Sequence, residues 1–109
     1  MVALVTYSDD LREWIKQWEC RGGIPFLVPH WDAVGKVWDI GWGHVFVQGE
    51  AQRDITLDEA EQLLDWDLYV FDMGVSALVT IDVTQCIYDS LVAFAYNKGI
   101  GERGLAGST

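Results

Sequence analysis

Residues 25–48 separate two stretches of helical periodicity with a run of β-forming and turn residues, and this interruption constrains the fold more than any other feature. Before it, Ser8 is placed as an N-cap, and Leu11, Trp14, Ile15 and Trp18 recur at the i, i+3, i+4, i+7 spacing of one helix face. Gly22, Gly23 and Pro25 end that helix. Within the interruption, Trp38, Ile40, Trp42, His44 and Phe46 alternate on one expected strand face, with Val37, Asp39, Gly41, Gly43 and Val45 on the other. After it, Thr56-Leu-Asp-Glu59 is a capping-box pattern, and Leu57, Ala60, Leu64, Leu68 and Phe71 form one stripe. Asp82-Val-Thr-Gln85 opens a third helix in which Ile87, Leu91, Phe94 and Ala95 return at helical spacing, and Gly99, Gly101, Gly104 and Gly107 give the tail a loop character. A helix, a small antiparallel hairpin or sheet and then helices, in sequence blocks, define an α+β class.

The 109 residues fit a single domain, 1–109, and half of them are hydrophobic, as a folded core requires. Net charge is −10, with the seven basic residues scattered, which excludes a phosphate-reading nucleic-acid binder. No apolar run approaches a membrane span. Met1–Thr6 is too short for a signal-peptide core and lacks a basic leader, so synthesis in the cytoplasm is expected. Cys20 and Cys86 are too few and too far apart for a zinc cluster or disulfide scaffold; they read as reduced, small hydrophobes, and no metal or cofactor is expected.

Three carboxyl groups, Glu19, Asp32 and Asp39, gather around the glycine-punctuated segment Ile40-Gly-Trp-Gly-His44. Glycoside hydrolysis needs two carboxyls in different environments, one to give a proton and one to act on water or the sugar. Glu19 lies four residues after Ile15, at the edge of the apolar face and the C-terminal end of its helix. Partial burial and the negative end of the helix dipole both disfavour its charged form. Asp39 stands on a face left open by Gly41 and Gly43, whereas Asp32 precedes Ala33-Val-Gly35, a setting where Asp often serves a turn.

Trp18-Glu19 and then Asp32-Ala-Val-Gly-Lys-Val-Trp-Asp39-Ile-Gly-Trp-Gly-His44 resemble the phage-type lysozymes, the endolysin muramidases of glycoside hydrolase family 24. Thr56–Leu64, Thr84–Asn97 and Gly104–Thr109 resemble that family's next helix start, its central helix and the loop that follows. The resemblance implies a lysozyme-like fold and cleavage of the bond after N-acetylmuramic acid in peptidoglycan. It implies Glu19 as general acid, Asp32 as the carboxylate that orients or activates water, Asn97 as a residue touching the sugar chain, and His44 as a structural residue closing the hairpin. Trp42 stands for the family's usual Tyr, as either core or a sugar-stacking platform. Peptidoglycan strands would be the partner, with action on the wall of a bacterial host after release.

The pattern departs from the family in three places. Asp39 replaces a Thr, and a carboxylate there could take over part of the role of Asp32 as well as raise Glu19 by repulsion. Twelve residues separate Glu19 from Asp32, a longer span than usual, and Cys20 replaces a glycine. The sequence ends at Gly107-Ser-Thr109, where the helices of the second lobe would begin, so that lobe is expected to be truncated and Ile87, Leu91 and Phe94 partly bare. Self-association or a partner covering those helices is one expectation. A degenerate, non-catalytic module that binds glycan or a partner protein is the alternative to the enzyme. A lytic transglycosylase, which needs a single Glu, is a third reading.

Overall fold

The computed structural model describes residues 6–98. In order they form α1 (Asp9–Glu19), a one-turn 3₁₀ segment (Arg21–Gly23), β1 (Phe26–Asp32), β2 (Val37–Gly41), β3 (His44–Val45), α2 (Leu57–Leu78) and α3 (Gln85–Lys98). The three strands make one antiparallel sheet in the order β1-β2-β3. The architecture is therefore the expected α+β one. The chain divides into two compact units, Trp14–Trp66 and a second made of the segments on either side of it. The glycine-rich tail beyond Lys98 lies outside the described residues.

In the unit 14–66, Ile15 and Cys20 of the first helical stretch, Ile40 and Trp42 of the sheet region, and Ala60 and Leu64 of α2 are buried. Trp14 and Trp18, expected on the buried face of α1, are instead 50% and 62% exposed and stack on each other with centroids 5.4 Å apart. A stripe four residues wide is more than this helix can hide, and the two indoles at its edge cover each other. Strand geometry also corrects the expected alternation from Trp38 to Phe46. The chain does not run on as one strand, because Gly41 (φ 65°) and Gly43 (φ 90°) turn it back around Trp42, and β3 pairs with β2 through Asp39 opposite Val45 and Ile40 opposite His44. β1 pairs with β2 through His30 opposite Asp39 and Trp31 opposite Trp38. Successive pairs project to opposite faces, so the imidazole and carboxylate share one face and the two indoles, 5.5 Å apart, the other.

The Thr56 capping box forms as expected: the Glu59 amide donates to Thr56 Oγ1 and the Thr56 amide to Glu59 Oε1, each at 3.1 Å. Arg53 adds a guanidinium on the Glu59 carboxylate, holding it at about 2, with the Arg53 bond the largest cause and the Thr56 amide the next.

In the other unit, Leu11, Leu68, Val75, Tyr88, Val92 and Ala95 are buried. Ser8 caps α1, accepting from the Leu11 amide at 3.1 Å, and its own hydroxyl and amide donate to the two oxygens of Asp89. Thr84, within the expected opening segment, caps α3 by accepting from the Ile87 amide. Of the expected α3 stripe, Ala95 is buried, and Ile87 and Phe94 are partly bare as expected. Tyr88, Val92 and Ala95 face inward, and Ile87 and Phe94 are 51% and 39% exposed. The Tyr88 hydroxyl donates to Asp72 Oδ1 at 2.5 Å. Among the described residues no helix is long and apolar enough to cross a membrane.

Candidate active site

Glu19 is the last residue of α1, and the fold brings its carboxyl against the corner between β2 and β3. A Cβ placed on Gly43 would lie 2.8 Å from Glu19 Oε2 and 3.2 Å from its carboxyl carbon. Only a residue without a side chain admits the acid at that distance, and the left-handed φ of Gly43 asks for glycine on its own account. Burial in this corner pushes the Glu19 carboxyl up to about 7, and the negative charge of Asp39 adds to the effect. Near neutral pH the group thus keeps a proton it can give away, the property a general acid needs.

Asp39 sits at the middle of β2 with its side chain only 16% exposed. Its Oδ1 lies 2.9 Å from His30 Nδ1, the residue directly across the β1-β2 ladder. Register alone produces this contact, so nothing local to either residue announces it, and sequence reasoning passed over His30.

Asp32 is held in the turn between β1 and β2. Its Oδ1 accepts from the Val34 and Gly35 amides at 3.0 and 3.1 Å, and its backbone carbonyl accepts from Lys36 at 2.7 Å. That is an Asx-type turn, in which the carboxylate stands in for a backbone acceptor and lets the chain reverse over four residues. Of the two aspartates, Asp39 is the one whose charge acts on Glu19.

The surrounding side chains fix this corner. Trp42 is 3% exposed, and its indole N–H donates to the Gly23 carbonyl at 2.9 Å, so the structure places it in the core. The Lys16 ammonium lies 4.6 Å from the centre of the Trp42 ring and 2.8 Å from Glu61. His44 Nε2 lies 2.7 Å from Glu50 Oε2, and Glu50 Oε1 accepts from the Val47 amide. Burial would raise the Glu50 carboxyl, but the Val47 and His44 bonds outweigh it and hold Glu50 below its ordinary value. The buried Cys20 thiol donates to the Gly41 carbonyl, and burial pushes it up, outweighing a hydrogen bond with the Phe26 backbone. Both cysteines are free. A cavity of about 400 Å³ in the same unit is lined by Ile40, Phe46, Glu50, Arg53, Glu59 and others, and neither Glu19 nor Asp39 reaches it. Asn97 is an exposed residue of α3, in the other unit. Among the described residues no cluster of His, Cys, Asp and Glu could hold a metal ion.

A helix that delivers a half-buried acid to a small antiparallel sheet, followed by helices, is a lysozyme-like architecture, and solved structures agree. The muramidase domain of SpmX from Asticaccaulis excentricus superposes with a TM-score of 0.74 at 30% identity, covering 93% of this chain and 65% of that one. The endolysin from Escherichia coli O157:H7 phage FAHEc1 gives 0.71 at 26% identity, covering 93% of this chain and 63% of that one. The phage lysozyme family model matches residues 26–109, and the chain belongs to that family. The endolysin of Bacillus phage B103 is 42% identical over 66 residues, 61% of this chain, and the chain spans about a quarter of the length of that relative. Glu19 lies upstream of the span matched by the family model.

Proposed function

We propose that the chain hydrolyses peptidoglycan as a muramidase, cutting the β-1,4 bond between N-acetylmuramic acid and N-acetylglucosamine in the bacterial cell wall. Glu19 gives its proton to the glycosidic oxygen as the bond from the anomeric carbon breaks. Water adds to that carbon and loses a proton to Asp39, so one water is consumed and two chain ends result. The observation that carries this reading is Glu19 seated in a corner only glycine leaves open, where burial and the neighbouring Asp39 push its carboxyl up to about 7. Asp32 builds the turn that presents β2. Family membership and likeness to a muramidase domain support the choice of substrate.

Turbidity loss of purified bacterial walls tests the reading. The wild-type chain clears walls, with activity falling as pH rises through about 7 because Glu19 then lacks its proton. Glu19→Gln and Asp39→Asn abolish clearing. Asp32→Asn keeps the oxygen that accepts the turn amides and clears nearly as well as wild type. Full clearing by Asp39→Asn together with loss in Asp32→Asn would transfer the second role to Asp32. Wall binding without clearing at any pH would instead make the chain a non-catalytic glycan-binding module, and 1,6-anhydro products a transglycosylase.

A further inference from the structure

We infer that His30 is a positioning residue for Asp39, donating a hydrogen bond from Nδ1 that fixes one carboxylate oxygen and turns the other towards the reacting water. This rests on the assignment of Asp39 as the second carboxylate. Three independent observations carry it. The two residues are directly opposed on β1 and β2, so their Cβ atoms are held close by the ladder itself. The Nδ1 to Oδ1 distance is 2.9 Å, a formed hydrogen bond in which the proposed role puts the hydrogen on Nδ1. The imidazole also cannot swing away freely, because it stacks on Phe26 with centroids 4.0 Å apart and planes 11° from parallel.

The arrangement answers a difficulty the site would otherwise have. Asp39 shares its corner with Glu19 and acts on it electrostatically, so its carboxylate has to be held in a defined orientation. A donor on Asp39 Oδ1 fixes the orientation of that carboxylate beside Glu19. With Oδ1 occupied, Oδ2 is the oxygen left to take a proton from water. His30 touches no reacting atom in this scheme; it acts through Asp39.

Two substitutions separate this role from packing. His30→Phe keeps a ring on Phe26 but has no N–H; His30→Asn places an amide donor near the position of Nδ1 without the ring. On soluble glycan strands, His30→Phe should lower kcat roughly 10- to 100-fold, the scale of a hydrogen bond to a charged group, with KM unchanged within about twofold. His30→Asn should recover most of that loss. Nitrogen-15 NMR of the wild-type chain, with the imidazole neutral, should show the Nδ1–H tautomer, reverting to the Nε2–H form in Asp39→Ala. Wild-type kcat in His30→Phe, equal losses in the Phe and Asn variants, or an Nε2–H tautomer in the wild type would each overturn the proposal. Glu19→Gln is the control for the reading beneath it. If Glu19→Gln is as active as wild type, or the wild type cleaves nothing, the assignment of the site fails and this proposal with it; if Glu19→Gln is inactive and His30→Phe is not, only the role of His30 falls.

Discussion

Gly43→Ala separates two demands that fall on one residue. The first is conformational: Gly43 has φ 90°, and a residue with a Cβ pays a steric penalty in this region of about 1–2 kcal/mol. The second is spatial: the new methyl would lie 2.8 Å from Glu19 Oε2, whereas ordinary contact begins near 3.4 Å, so the carboxyl must retreat by about 0.6 Å. That retreat is cheap in stability, because the obstructed atom is the far end of a flexible side chain. The expected melting temperature falls by roughly 4–15 °C, which is the conformational penalty spread over a domain of this size. Replacing Glu19 by Ala in the same chain should not restore it. The functional effect is much larger than the spatial demand suggests. A carboxyl displaced from its corner is better solvated, so its titration midpoint drops from about 7 towards 4.5, and misplacement on this scale lowers turnover by up to about 100-fold. Calorimetry, a carboxyl-carbon NMR titration and wall clearing read the three effects separately. A Gly43→Ala chain with its Glu19 midpoint still near 7 and full clearing would refute the idea that this glycine seats the acid.

Other expectations follow from the same contacts. Because the folded-state value of Glu19 is raised from 4.5 to about 7, the stability it lends is complete below pH 4.5 and is lost as pH rises through 7. Glu19→Gln should therefore stabilise the fold above pH 7, by about 1–2 kcal/mol once solvent screening of this half-exposed group is allowed for, and change nothing at pH 4; denaturant titrations at the two pH values check it. Thr56→Ala removes the acceptor for the Glu59 amide at the start of α2 and should cost about 1 kcal/mol by the same measurement. Glu50→Gln should destabilise the chain above its ordinary carboxyl value and have less effect in acid, since a lowered carboxyl lends its stability at higher pH and loses it as pH falls; thermal melts across pH 3–7 report the difference.

What could be read from the sequence was whatever depends on neighbours along the chain. The capping box at Thr56, the cap at Ser8, the end of α1 at Glu19 and the turn preference of Asp32 are all local, and each appears in the structure. What was misplaced depends on which of two equivalent patterns wins. In α3 the expected Ala95 is buried, but beside Tyr88 and Val92, which were not on the expected stripe; the Tyr88 hydroxyl bonds Asp72, sixteen residues away. The alternation from Trp38 to Phe46 looked like one strand because a glycine corner preserves the period while reversing the chain. The partnership of His30 with Asp39 was not readable at all, for it exists only once the register of β1 on β2 is set. The acidic residue at the end of α1 was therefore visible before the fold, and the contact of His30 with Asp39 was not.

The most direct test of this account is the titration of the Glu19 carboxyl by carbon-13 NMR in the wild-type chain and in Asp39→Asn. A midpoint near 7 is expected in the wild type, and in the variant a lower one still above 4.5, because burial contributes more than the charge of Asp39. A wild-type midpoint at the ordinary value of 4.5, or one that ignores the loss of the Asp39 charge, would contradict it.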